Sequence, residues 1–238
     1  MTGEELAIVF VVMTIGAIIQ GAVGFGMNLV AAPILLIIDP ALIPGPILVA
    51  GLALNVMMVV REREHGGLGS VGWALGGRVP GTVAATAALV VLSTDSLAVV
   101  FALLILLGCA LSLGGLRVRR TPSTLVGAGV LSGFMGTAVG VGGPPLALVY
   151  QNETGAVLRG ALARYFTVGG VISIGMLVGV RQFEPAALAA SLLLVPGVIF
   201  GFFVSRRLNR LIDGPRTRIA VLALSAASAV FVLVREVL

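Results

Sequence analysis

Long uncharged runs alternate along this chain with short stretches that carry almost all of its charge. The runs cover residues 6–38, 40–60, 66–77, 79–94, 96–116, 121–152, 165–180, 185–205 and 219–234. A membrane-crossing helix needs about 20 apolar residues, with a working range of roughly 17–25. Runs 40–60, 96–116 and 185–205 therefore predict one spanning helix each. Runs 66–77 and 79–94 are parted only by Arg78 and predict a single span over 69–92. The two shorter runs reach spanning length by borrowing flanking residues, which predicts spans over 160–180 and 219–235.

Runs 6–38 and 121–152 are too long for one helix. Thirty-three residues at ~1.5 Å each make a rod of roughly 50 Å, against a hydrocarbon core of ~30 Å. Each run carries a glycine cluster: Gly21-Ala-Val-Gly24-Phe25-Gly26 in the first, and Gly133-Phe-Met-Gly136-Thr-Ala-Val-Gly140-Val-Gly142-Gly143-Pro144-Pro145 in the second. Glycine accepts positive φ and close backbone approach, and proline in a first helical turn forfeits no needed donor. Both runs are expected to form hairpins of two short helices, broken by a turn inside the membrane.

The halves repeat. Val23-Gly24-Phe25-Gly26 and Val139-Gly140-Val141-Gly142 lie 116 residues apart, and so do Val79-Pro80-Gly81 and Val195-Pro196-Gly197. Two matches at a common offset, with long runs and single spans in the same order, mark a duplicated unit. Arginine placement orients it, because basic residues collect in cytoplasmic loops. Segments 61–65, 117–120 and 206–218 hold two, three and five arginines and are assigned to the cytoplasm; the turn near 93–96 holds none and lies outside. With 151–159 also inside, the second long run begins and ends in the cytoplasm, and the first begins and ends outside.

The expected fold is an all-α polytopic membrane protein with an inverted-topology repeat, each unit a broken-helix hairpin plus three transmembrane helices. Unit one is 1–116, with hairpin 6–38 and spans 40–60, 69–92 and 96–116. Residues 117–120 are a basic cytoplasmic linker. Unit two is 121–238, with hairpin 121–152 and spans 160–180, 185–205 and 219–235. An odd number of crossings per unit turns one copy upside down. It brings the glycine turns toward each other near the midplane and puts both termini outside the cell (inner) membrane.

Composition agrees. With 58% hydrophobic and only 11% charged residues and a mean hydropathy of +1.15, the chain falls far short of the ~25% charge of soluble domains. Its net charge of +5 comes from fifteen arginines and no lysine. They sit in short loops between apolar runs, so they read as topology signals and not as a nucleic-acid footprint. Cys109 is alone, and His65, the only histidine, lies in the charged 61–65 segment. A disulfide framework, a thiolate or histidine metal site and a histidine-based triad are thereby excluded, and no metal or cofactor is expected. The opening Met1-Thr-Gly-Glu-Glu lacks the basic region of a signal peptide, so the first run is expected to stay in the mature chain.

Candidate chemistry centres on the glycine turns. A helix N-terminus inside the membrane offers unpaired N–H groups and partial positive charge where no water competes. Gly24, Phe25 and Gly26 on one side, and Gly140, Gly142, Gly143 and Pro144 on the other, are expected to form two opposed donor cradles suited to a small anion. Gln20 and Asn28 flank the first turn and either donate to the anion or satisfy the freed backbone. Arg78 is the only charge deep in a span, about nine residues or ~14 Å in. Such a charge costs at least ~2.5–3.5 kcal/mol to insert and faces a cavity or a partner. No acid lies within a span, so an anionic substrate is the natural counter-ion. Leu194 stands at the equivalent place in the second half. Arg164, near the start of its span, is expected to snorkel to the interface. Asn55 is expected to bond a neighbouring helix, and Gln151 and Asn152 to lie at the interface.

The two glycine-rich hairpins, with Pro33 beyond the first and Pro-Gly spans between them, resemble the sulfite exporter TauE/SafE family of membrane proteins over essentially the whole chain. The first hairpin departs by having Gly24-Phe-Gly26-Met27-Asn28 where a denser glycine cluster is common, which bears on which small anion fits. The resemblance implies a transporter linked to export of sulfite or small organosulfonates. The reading is thus a secondary transporter or facilitator for a small anion, working by alternating access. Its partners are that substrate and the lipid bilayer, with room left for a homo-oligomer. An anion channel is the alternative. An intramembrane enzyme ranks lower, since no base or metal ligand sits at depth.

Overall fold

The computed structural model describes residues 1–65, 69, 71–92, 94–113, 118–150, 152–153, 155–183 and 185–212, together with 230 and 234. Apart from 230 and 234, the expected span 219–235 lies outside the described residues, as do Gln151 and Arg117 of the linker. The regular elements among the described residues are all helices.

Helix α1, Gly3–Val23, starts where Thr2 and Glu5 form a capping box: Thr2 Oγ1 accepts from the Glu5 amide (3.2 Å) and Glu5 Oε2 accepts from the Thr2 amide (2.7 Å). Glu4 and Glu5 in the first turn complement the helix dipole. The helix ends at Gly24, φ 104°, whose amide donates to the Gln20 carbonyl at 2.7 Å. Gly26, φ 118°, then redirects the chain into α2, Met27–Ile38. A left-handed residue costs glycine little. The second long run repeats the scheme, with α6, Pro122–Ala138, opened by a Thr121–Thr124 box and broken at Gly140, φ 80°. Helix α7, Gly143–Val149, follows with Pro144 and Pro145 in its first turn.

Both breaks fall where the glycines place them, but the arms differ from the expected short halves. Helix α1 has 21 residues and α2 has 12, while α6 has 17 and α7 has 7. At ~1.5 Å per residue α1 is about 31 Å long, enough to cross a bilayer core by itself. The capping box draws Glu4 and Glu5 into the helix, which the charge-free run 6–38 left out.

Between and after the hairpins come a 3-10 turn at Pro40–Leu42, α3 over Gly45–Arg61, α4 over Gly72–Val91, α5 over Thr94–Leu113, α8 over Gly155–Gly179 and α9 over Pro185–Ile212. Asp39 Oδ1 starts the 3-10 turn by accepting from the Ala41 amide at 2.9 Å. Among the described residues α1, α4, α8 and Ala186–Arg207 of α9 are long and apolar enough to cross a membrane. Large apolar side chains such as Phe10, Ile15, Val83, Leu192, Phe200 and Phe203 face outward, a surface that suits lipid and not water.

The tightest packing pairs α4 with α6 and α1 with α9. In both pairs glycine lets backbones touch, as is common between membrane helices. A Cβ at Gly77 or Gly81 would strike the carbonyls of Val126 or Val130, and one at Gly197 or Gly201 would strike those of Phe10 or Thr14. Thr14 Oγ1 also donates to the Gly197 carbonyl at 3.3 Å. The two registers can be compared. The struck residues stand 116 apart, but the glycines that strike them stand 120 apart. Helix α9 is thus advanced by about one turn relative to the 116-residue match at Val-Pro-Gly. In these contacts Val198 stands at the 120-residue offset from Arg78, whereas the 116-residue match pairs Arg78 with Leu194.

Candidate functional site

Where the two glycine turns pass each other they enclose a cavity of about 50 Å³. A single water needs at least ~10–15 Å³ on that measure, so there is room for a few water-sized groups or one small oxyanion. Gln20, Phe25, Gly26, Asn28, Arg78, Gly140, Gly142, Gly143 and Pro144 all line it, joined by Gly51, Leu52 and Asn55 of α3, Gly136 of α6, and Phe166 and Gly170 of α8. Gly24 does not. Its amide closes α1, and a Cβ added to it would meet Arg159 and Leu162.

The polar side chains of the first turn work mainly on the broken backbone. Gln20 Oε1 accepts from the Met27 amide at 3.2 Å, taking up the first donor of α2, and Gln20 Nε2 donates to Asn55 Oδ1 at 2.9 Å. Asn55 Nδ2 in turn donates to the Gly51 carbonyl at 2.7 Å. Asn28 Nδ2 donates to the Gly140 carbonyl at 2.9 Å, tying one turn to the other. Ser132 Oγ donates to the Gly142 carbonyl at 2.5 Å. These bonds are what irregular backbone at membrane depth requires. They also leave less of the donor cradle open than two bare glycine turns were expected to offer.

Arg78 supplies the charge. It lies six residues into α4, about 9 Å along the axis and shallower than expected, yet it is only 2% exposed. Nη2 donates to Ser173 Oγ at 3.1 Å, and Ser173 shares a 2.8 Å bond with Thr137 Oγ1. The guanidinium sits over the Tyr165 ring, 5.1 Å from its centroid, a contact of about 0.5–2 kcal/mol. Nε and Nη1 are buried without a partner. None of the lining residues is acidic, and no ion pair among the described residues involves Arg78. A buried, half-satisfied guanidinium is costly, and a bound anion would relieve that cost.

Sequence reasoning missed what holds Arg78 there. Gly169 leaves the space the guanidinium fills, because any Cβ would overlap Arg78 Nε and Cζ. Ser173, Thr137 and Tyr165 complete its setting. The only available signal was the Gly169-Gly170 pair in a span facing a deep arginine, and glycine pairs are too common in membrane helices to stand out.

The basic residues at one end of the bundle have structural work as well. The Glu62 carboxylate accepts from Arg61 Nε (3.0 Å) and Arg159 Nε (2.9 Å). Those arginines continue to the carbonyls of Gly21 (2.6 Å) and Ala22 (3.3 Å), at the C-terminal end of α1, where positive charge meets the negative helix end. Arg164 does not snorkel. It is 9% exposed and donates to the carbonyls of Glu62, Arg63, His65 and Gly160, because the end of α3 leaves carbonyls that need donors. Asn152 is exposed.

A bundle of helices long and apolar enough to cross a membrane, two glycine-interrupted hairpins and a cavity lined by a buried arginine fit an integral membrane protein of the transport class. Residues 8–232 match the model of the family described as sulfite exporter TauE/SafE, and the chain belongs to that family. No curated protein and no solved structure matches it.

Proposed function

We propose that the chain is a secondary transporter or facilitator that carries a small anion, sulfite or an organosulfonate, out of the cell across the inner membrane. The observation that carries this reading is the pair of unpartnered Arg78 nitrogens in a cavity lined by no acidic residue. The lining also offers no histidine, cysteine or carboxylate to act as base or nucleophile, which favours transport over chemistry. Residues 1–116 and 121–238 act as two inverted copies joined by the cytoplasmic linker 117–120, with both termini outside. The reciprocal α4–α6 and α1–α9 packing supports that arrangement. Rocking one copy against the other exposes the cavity to each side in turn. With the interior negative, export gains ~2.3 kcal/mol per charge per 100 mV, about a fifty-fold concentration ratio for a monoanion, so no coupling ion is required.

Purified protein in liposomes tests the reading. Saturable sulfite flux with trans-stimulation is expected, and Arg78→Ala should abolish it while the protein remains folded. Undiminished flux in folded Arg78→Ala protein would remove the site. Large single-channel currents would make the protein a pore instead.

A further inference from the structure

A residue lining the cavity carries a third unsatisfied atom, and it has the opposite character. Asn28 Oδ1 is buried without a hydrogen-bond partner, on a residue that lines the same cavity as Arg78. The orientation of this amide is fixed by the neighbouring turn. Nδ2 donates to the Gly140 carbonyl at 2.9 Å, and exchanging the two ends would set oxygen against oxygen there. An unpaired acceptor therefore remains on Asn28, whereas the two free atoms of Arg78 are donors.

We infer that the substrate is a monoanion that also carries its own hydrogen-bond donor, with its anionic oxygens on Arg78 and an O–H or N–H directed at Asn28 Oδ1. This inference rests on the anion-transport reading and narrows it. The charge balance agrees, since one guanidinium and no carboxylate line the cavity. A fully deprotonated oxyanion would set a lone pair against the Asn28 oxygen and leave that acceptor buried and unpaired. Sites built to pair a ligand hydroxyl reject the analogue that lacks it more strongly than apolar pockets reject a change of size. The class includes hydroxyl-bearing sulfonates and singly protonated oxyanions.

Hydroxymethanesulfonate and ethanesulfonate form the discriminating pair, being equal in charge and heavy-atom count and differing by O–H against CH₃. Binding of each, and of sulfate, to the purified full chain is measured by calorimetry, with Asn28→Leu and Arg78→Ala proteins alongside. The wild type should bind hydroxymethanesulfonate at least about tenfold more tightly than ethanesulfonate, with sulfate weakest. Asn28→Leu should bring the ratio of the two sulfonates to about one, and Arg78→Ala should abolish binding of both. Equal affinities in the wild type, with binding still lost in Arg78→Ala, would overturn the donor requirement and leave the transport reading standing. Tighter binding of sulfate than of hydroxymethanesulfonate would also overturn it. Failure of all three anions to bind the wild type would overturn both. Should Asn28→Leu not fold, the wild-type ratio decides alone.

Discussion

Replacing Gly169 with alanine should cost the protein its anion affinity by way of Arg78. The new Cβ would stand 2.5 Å from Arg78 Cδ and closer still to Nε and Cζ. Ordinary contact begins near 3.4 Å, so the guanidinium must retreat by at least about 1 Å. Such a retreat breaks the 3.1 Å bond to Ser173 and moves the two free nitrogens off the cavity. A charge-assisted hydrogen bond contributes about 1.5–3 kcal/mol, so losing one lowers affinity roughly 10- to 100-fold. Stability responds too. Overpacking costs ~1–3 kcal/mol, against a helix-propensity gain of about 0.8–1.0 kcal/mol for alanine over glycine. In an Arg78→Ala background the obstacle is gone, and the same substitution should stabilise by up to ~1 kcal/mol. Thermal unfolding of the four proteins in detergent, with sulfite binding to the wild type and Gly169→Ala, tests both parts. Wild-type affinity in Gly169→Ala, or a stability change of the same sign in both backgrounds, would refute the reasoning.

Glu62→Gln should destabilise the protein by about 3–5 kcal/mol, because it leaves Arg61 and Arg159 largely buried without their shared carboxylate; a thermal midpoint within a degree of wild type would contradict this. Gly81→Ala drives a methyl group into the Val130 carbonyl and should cost ~1–3 kcal/mol or more by forcing α4 from α6, read as loss of folded yield and thermal midpoint. Gly140→Ala combines a φ of 80° with a Cβ only 2.6 Å from Asn28 Nδ2 and should lower both stability, by about 1–3 kcal/mol, and anion affinity. Cysteine placed at Thr2 should react with an impermeant maleimide from outside, and one at Glu64 only after permeabilisation. Native Cys109, 3% exposed, should stay silent in both.

What could be read from the chain beforehand follows physical scale. Uncharged runs and glycine clusters report directly on bilayer solvation and on positive φ, so the helices and both breaks at Gly24–Gly26 and Gly140 were legible. Arg78 was legible as a deep charge with no acid in any span. Helix length was harder to read, because the Thr2–Glu5 capping box pulls charged residues into α1 that a count of uncharged positions discards. The packing register of α9 could not be read from the 116-residue match of two Val-Pro-Gly triplets, because packing follows the glycines at 77, 81, 197 and 201. Side-chain duties at the site were least legible. Whether Gln20 faces a ligand or the Met27 amide depends on the exact path of the glycine turn between them and on Asn55 of α3, which takes its other end.

The pairing of α1 with α9 bears on how the chain is made. About 160 residues separate the end of α1 from the start of α9, and at ribosomal speeds of ~5–20 residues per second that interval is roughly 8–30 s. Throughout it the seam formed by Met13, Thr14 and Ala17 meets only lipid or whatever chaperone holds it. A nascent chain stalled before residue 185 thus presents an orphan helix with a glycine-accepting groove. Such a fragment is ready to capture α9 from another copy and should be a preferred target of membrane quality control.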